Sequence, residues 1–256
     1  MKIGVAGCMG RMGKMLCQAV IDAGHELVGG TERAGASCVG EKCGTGVITD
    51  NARDLFAAAD AVLDFTSPAN SVENARLAAE TGKVLVVGTT GLTSEQVEEL
   101  QKAGQNARIV YASNMSVGVT LLTVLAEKVA AVLDDSYDVE IVEMHHRNKA
   151  DAPSGTAKSL GEAVAKGRRV ALRDRARYCR EGIIGARPKG EIGFAALRGG
   201  DVVGDHTVIF AGDGERVELG HKASSRAVFA NGAVRAAVWA AARKNGVYSM
   251  RDVLGF

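Results

Sequence analysis

Short, uninterrupted apolar runs alternate with amphipathic stretches through the first half of the chain. Residues 2–6, 25–30, 61–65, 84–87 and 108–112 are such runs, each of strand length. After the first, Met12, Met15, Leu16, Ala19, Val20 and Ala23 follow the i, i+3, i+4, i+7 rule of a helix with one buried face. A second helix is expected over residues 69–81. A third opens at Thr93-x-x-Gln96, a capping box in which each side chain satisfies a backbone N–H of the other's turn. Continuous apolar strands separated by helices predict a parallel sheet covered on both faces. Ligands on such sheets bind beyond the carboxyl ends of the strands, and the strands here end in small polar residues.

The pattern changes in the second half. A helix is expected over residues 117–133 and a short strand over 138–143. Three further strands, 192–198, 202–211 and 216–220, are separated by Gly199-Gly200-Asp201 and Gly212-Asp213-Gly214, turn sequences that suit antiparallel hairpins. Residues 167–189, with six arginines among the first fourteen, read as a solvated loop. A last helix over residues 225–245 carries Val228, Ala233, Val234, Ala237 and Val238 and is expected to return to the first half. The organisation expected is α/β: a Rossmann-like parallel-sheet domain from residues 1–116 and 226–256, plus an α+β domain with a mostly antiparallel sheet from 117–225.

Composition narrows the function. With 256 residues, 46% of them hydrophobic and a formal net charge of +1, the chain lacks the basic excess of an electrostatic nucleic-acid binder. No apolar run approaches the ~20 residues of a membrane-spanning helix. A strand at the very start leaves no room for a signal peptide, so a cytoplasmic protein is expected. Cys8, Cys17, Cys38, Cys43 and Cys179 are an odd number, which argues against a disulfide framework. Cys38 and Cys43 have no second ligand pair at finger-like spacing, so no metal is expected.

The turn after the first strand reads Gly7-Cys8-Met9-Gly10-Arg11-Met12-Gly13. Glycines before a helix let backbone N–H groups approach a pyrophosphate. A plain tight turn would use the same residues. Glu32, at the end of the second strand, stands where an acid accepts from adenosine ribose hydroxyls. Arg33 and Arg11 offer charge for a 2′-phosphate instead, so both NADH and NADPH are expected to serve. Solvated loop charges are the plainer alternative.

The densest chemistry lies in Glu143-Met144-His145-His146-Arg147-Asn148-Lys149, followed by Asp151, Pro153 and Ser154-Gly155-Thr156. Strand alternation puts His145 on the face of Glu143 and turns His146 the other way, which disfavours a metal shared by the pair. Both histidines are expected at the strand's polar end rather than in a core. An imidazole can carry a proton at neutral pH, and Lys149 adds a cation and a second donor. Ser154, Gly155 and Thr156 open a helix whose N–H groups and hydroxyls would bind a carboxylate.

From GVAGCMGRMG through DFTSP, VGTTG, SNMSVG, HHRNKADAPSGTA, EIGFAALRGGDVVGDHTVIF and HKASSRAVFANGAVRAA, the chain resembles the 4-hydroxy-tetrahydrodipicolinate (dihydrodipicolinate) reductase family over essentially its whole length. The resemblance implies a Rossmann domain, a tetramerisation domain, and a cleft in which cofactor faces a small cyclic dicarboxylate. It implies that Gly7, Cys8, Met9, Gly10, Arg11 and Met12 hold the pyrophosphate, and Glu32 and Arg33 the adenosine ribose or its phosphate. Gly88, Thr89, Thr90, Ala112, Ser113, Asn114 and Met115 would line the nicotinamide side. His145 matches a proton donor/acceptor and Lys149 a proton donor. His146, Lys149, Gly155 and Thr156 match substrate-binding positions. The family commonly has Phe where Met115 stands, and often Arg where Ser67 stands. Two other readings remain: another two-domain NAD(P) oxidoreductase of amino-acid metabolism, or a non-enzymatic NAD(H) sensor.

Overall fold

A computed structural model describes residues 1–256, which form two compact units: Met1–Val117 with Arg226–Phe256, and Gly118–Ser225. In chain order the elements begin β1 (Lys2–Ala6), α1 (Arg11–Asp22), β2 (Glu26–Thr31), β3 (Lys42–Cys43) and β4 (Gly46–Thr49). Next come α2 (Ala52–Ala58), β5 (Ala61–Asp64), α3 (Pro68–Thr81), β6 (Val84–Val87), α4 (Ser94–Ala103) and β7 (Arg108–Tyr111). Then follow α5 (Val117–Val132), β8 (Asp138–His145), α6 (Gly155–Gly167), α7 (Leu172–Arg175) and β9 (Ala176–Arg177). The chain ends with β10 (Ile192–Arg198), β11 (Gly204–Gly212), β12 (Glu215–Ala223), α8 (Ala227–Ala241), β13 (Gly246–Tyr248) and α9 (Met250–Leu254). None of the helices is long and apolar enough to cross a membrane.

The first unit is Rossmann-like. Its sheet runs β13-β7-β6-β5-β1-β2-β4-β3 and is parallel except for the β3–β4 hairpin at the edge. β5 and β6 are buried at every position, as strands covered on both faces must be. One core lies under α1 and α8; the other lies under α2, α3 and α4. The strand order reverses at β1, between β5 and β2, and that switch point is where such sheets bind ligands. Capping is as expected: Thr93 and Gln96 form the capping box of α4. The last helix is shorter than its apolar pattern predicts. It stops at Ala241, and the remaining chain adds the edge strand β13 and the short α9.

The second unit is a five-stranded sheet, β12-β11-β8-β10-β9, with α6 against one face. The two long antiparallel pairings, β11–β12 and β11–β8, outweigh the parallel β10–β8 and β10–β9. Asp213-Gly214 closes the β11–β12 hairpin, with Gly214 at φ +84°. Gly199-Gly200-Asp201 does not close a hairpin, contrary to expectation. β8 lies between β10 and β11, and this segment carries the chain over the end of β8. The crossing is fixed by Gly199 N–H donating to His145 O (2.9 Å) and His146 N–H to Val202 O (2.7 Å). A glycine-rich link looks the same in sequence whether it turns back or crosses.

The arginine-rich segment also differs from a solvated loop. Arg180 binds Glu140 through both terminal nitrogens (2.9 and 2.8 Å) and also binds Glu191, while Arg187 reaches Asp138 (2.6 Å) and Glu140 (3.1 Å). These pairs tie the segment to β8.

Candidate active site

In the first unit, a cavity of about 580 Å³ opens at the switch point, lined by Gly7, Gly10, Thr31, Glu32, Arg33, Phe65 and Thr66 among others. Glycines shape the turn beneath it. Gly7 has φ +66°, and a Cβ there would lie 2.9 Å from Thr66. A Cβ at Gly13 would lie 2.0 Å from Gly7 O, so only glycine lets α1 start this close to β1. α1 has no side-chain cap at Gly10, which leaves its first-turn N–H groups to an anion. Glu32 accepts from Met9 N–H through one carboxylate oxygen (2.9 Å), so it braces the turn it faces. Arg11 and Arg33 are exposed, as is Met9. The cradle fits a dinucleotide.

The other expected cofactor positions divide. Cys8 is buried against Gly30, where a Cβ would lie 2.5 Å from its sulfur. The Cys43 thiol and burial push the Cys8 thiol up, so it stays protonated; only its backbone faces the turn. Met115 is 1% exposed and packs into the core, and its carbonyl sits where a Cβ on Gly232 would. Thr89 is buried and accepts from Ser71 (2.9 Å), whereas Thr90 and Ser113 are exposed. Gly88 leaves room for the Phe65 ring, which a Cβ would meet at 2.2 Å. Ala112 and Asn114 are half-buried, and Asn114 accepts from Ser116 N–H (2.9 Å). Sequence reasoning missed Asp64: fully buried, it accepts from Thr66 N–H and Oγ1 (3.0 and 2.6 Å) and from Asn74 (3.1 Å), fixing the loop beside the glycine turn.

In the second unit, β8 alternates strictly, with Val139, Ile141, Glu143 and His145 buried. His145 therefore lies within the unit, 9% exposed, where a polar strand end was expected. Its Nδ1 is 2.6 Å from Glu143 Oε2. Glu143 also accepts from Ser154 N–H (3.0 Å) and from both terminal nitrogens of Arg198 (2.8 and 2.9 Å). Burial alone would push the Glu143 carboxyl up; Arg198, His145 and the Ser154 N–H together outweigh it and hold it below its usual range. Burial pushes His145 down, and the Glu143 carboxylate only partly opposes this, so the ring is neutral at pH 7. His146 is half-buried on the other side of the strand. Lys149 donates to Asp151 (2.8 Å), and Arg198 donates to Asp151 O (2.7 Å).

Ser154 takes a different job from the one expected. Its Oγ accepts from Ala157 N–H (3.1 Å) as the N-cap of α6 and lies 3.1 Å from His206 Nε2; the residue is 2% exposed. With its N–H on Glu143 as well, Ser154 has each of its polar side-chain and N–H groups engaged within the unit. Gly155 and Thr156 remain at the helix start, and a Cβ on Gly155 would meet nothing within 4 Å. Arg198 and His206 were missed. They come from strands more than fifty residues away, and only the β10–β8 and β11–β8 registers bring them to Glu143 and Ser154. The His206 ring lies edge-on to His145, centroids 5.1 Å apart, and burial pushes its pKa down to about 4.

Residues 1–115 match the family model described as dihydrodipicolinate reductase, N-terminus, and residues 118–254 the model described as its C-terminus. The chain belongs to the dihydrodipicolinate reductase family. The 4-hydroxy-tetrahydrodipicolinate reductase of Brucella abortus (strain 2308) is 52% identical over 261 residues, 98% of this chain and 97% of its own. That of Ruegeria sp. (strain TM1040) is 49% identical over 260 residues, with the same coverage. The solved structure of a dipicolinate-bound dihydrodipicolinate reductase from Paenisporosarcina sp. TG-14 superposes with a TM-score of 0.79 at 25% identity, covering 97% of each chain. An amine dehydrogenase from Mycobacterium smegmatis shares the fold at 12% identity, covering 98% of this chain and 95% of its own, with a TM-score of 0.61. As a member of this reductase family, the chain binds a nicotinamide cofactor, and the glycine cradle of its first unit fits one. The family's C-terminal model runs past Arg226, although α8 packs in the first unit.

Proposed function

We propose that the chain reduces 4-hydroxy-tetrahydrodipicolinate to tetrahydrodipicolinate with loss of water, using NADH or NADPH, in the diaminopimelate route to lysine. The observation that carries this reading is a buried Glu143–His145 pair followed by Lys149 and an open helix start, within a chain about half identical to reductases throughout. A reduced nicotinamide, when bound, would supply the hydride. The turn from Gly7 to Met12 holds the pyrophosphate against the uncapped start of α1, where the N–H groups of Arg11 and Met12 donate. Those of Gly7, Cys8, Met9 and Gly10 are held by Thr31, Glu32 and the Gly7 carbonyl and shape the turn. Glu32 accepts from the adenosine ribose, while Arg33 and Arg11 accommodate a 2′-phosphate, so both cofactors serve. Gly88, Thr90, Ala112, Ser113 and Asn114 line the nicotinamide side.

His146, Lys149 and the N–H groups at Gly155 and Thr156 neutralise the substrate's carboxylates. The Lys149 ammonium or His145 gives the proton that completes reduction, His145 exchanging its proton through Nε2. Preorganised cations around the developing charge are the largest contribution to the rate. Residues 1–116 with 226–256 are the dinucleotide-binding domain, and 117–225 bind substrate and self-associate. The sheet face opposite α6 carries Val142, Met144, Ala195, Leu197 and Ile209, with Leu197 50% exposed; this supports a homotetramer built on that face. A cytoplasmic location belongs to the same reading.

The test follows NADH and NADPH absorbance while a synthase makes the substrate in place from pyruvate and aspartate semialdehyde. Synthase-dependent oxidation is expected with both cofactors. Lys149→Ala should lower turnover by roughly two to four orders of magnitude, the scale of a lost acid–base group. If neither cofactor is oxidised the reductase reading fails, and unchanged turnover in the variant removes Lys149 from the chemistry.

A further inference from the structure

Glu143 is 1% exposed, yet its carboxylate accepts four hydrogen bonds from three separate parts of the second unit. His145 Nδ1 comes from its own strand (2.6 Å). Ser154 N–H comes from the start of α6 (3.0 Å). The two terminal nitrogens of Arg198 come from β10 (2.8 and 2.9 Å), and one of them also donates to Asp151 O, whose residue pairs with Lys149. A carboxylate that only neutralised the half-buried Arg198 guanidinium would not need the imidazole or the helix start.

We infer that Glu143 is the positioning residue of this site: its carboxylate fixes His145 with the proton on Nδ1 and Nε2 bare, and holds that ring in register with the α6 start and the Lys149 loop. The inference rests on the reading of His145 and Lys149 as proton carriers.

The tautomer follows from charge. An ionised carboxylate only accepts, so the imidazole nitrogen 2.6 Å from it must donate, which leaves Nε2 as the acceptor. A free histidine favours no such arrangement; here the partner imposes it, by the logic of a carboxylate that orients a catalytic imidazole. The groups facing His145 are Glu143 from β8, Lys149 from the following loop, Arg198 from β10 and His206 from β11. The two cations oppose a proton on His145, as does burial. His206 stays neutral and adds no fixed charge at neutral pH. Glu143 is thus the one group that stabilises the protonated ring, and it controls how readily His145 gains a proton.

The experiment is ¹⁵N NMR of the full chain labelled at histidine, with the His145 signals assigned by their absence in His145→Asn. The wild-type ring should show the proton on Nδ1. In Glu143→Gln, which keeps the shape but not the charge, its titration midpoint should move further down. The limb of the pH–rate profile that follows it should move the same way, and kcat should fall by about a hundredfold, the lower end of a general acid–base contribution. Glu143→Asp, which keeps the charge on a shorter arm, should restore part of the midpoint. A wild-type ring protonated on Nε2 overturns the inference, and that measurement stands even if a variant does not fold. An unmoved midpoint in folded Glu143→Gln also overturns it, leaving Glu143 as a structural partner of Arg198. Because the NMR readouts need no turnover, an inactive wild type with the expected tautomer would sink the reductase reading and not this one.

Discussion

Gly204 lies beside the bare side of the His145 ring. A Cβ there would lie 3.0 Å from His145 Nε2 and 3.5 Å from His206 Cε1. Its φ is not in the left-handed region, so alanine would fit the backbone and act only through that contact. The ring must then give by a few tenths of an ångström, and Glu143 anchors its other side. Gly204→Ala should therefore lower kcat by roughly tenfold, since misplacement of a reacting group by a full ångström costs about a hundredfold. Its thermal midpoint should stay near the wild-type value. Equal kcat in the two proteins would mean that Nε2 does not reach the reacting atoms. Strand alternation alone placed Glu143 and His145 on one face, and so predicted half of this geometry. It could not predict Gly204 or His206, because no periodicity within β8 records which strand pairs beside it.

At the scale of elements, α6 shows how one side chain can be read two ways. A Ser-Gly-Thr start suits both an anion cradle and an N-cap, and the sequence does not separate them. In the structure Ser154 Oγ caps Ala157 N–H at 3.1 Å and lies 3.1 Å from His206 Nε2, the arrangement of an N-cap. Ser154→Ala should cost about 1 kcal/mol of stability, the usual scale of a lost cap. KM for the dicarboxylate should change little, because the N–H groups of Gly155 and Thr156 remain. A large rise in KM with an unchanged melt would return Ser154 to the substrate. The longer elements of the first unit were legible because their apolar runs are uniform and their helices periodic. β3, β4 and α2 were not. β3 has two residues and α2 seven, too few for a period to show. β4, though as long as β5 and β6, buries only one of its four positions and so has no uniform apolar run. The β8–β10 pairing was hidden differently, since the decisive event is a backbone crossing at Gly199 and Gly200 rather than a side-chain pattern.

Over the whole molecule, acid should act mainly through the second unit. His145, His206 and His221 all lie there, and burial pushes each below its ordinary value, His206 to about 4. His206 Nδ1 has no hydrogen-bond partner within the chain, and the nearby Glu143 carboxylate only partly offsets the cost of burying a proton on that ring. Below pH 6.5 the unfolded chain takes up protons that the folded ring refuses, so stability falls as pH falls from 6.5 towards 4. For His206 alone the loss between pH 7.5 and 5 is about 2 kcal/mol. Glu143 works in a lower window. Its folded value is depressed, so its contribution is whole above the ordinary carboxyl value of 4.5 and disappears as pH drops through the folded one. The histidine loss therefore comes first, and the carboxylate loss follows in stronger acid. Thermal melts of wild type and His206→Gln at pH 7.5 and 5 separate the two. The variant, with no group to titrate at that position, should be less stable at pH 7.5 but should lose less on going to pH 5. An equal loss in both proteins would move the acid sensitivity elsewhere and leave His206 as a neutral strut for Ser154.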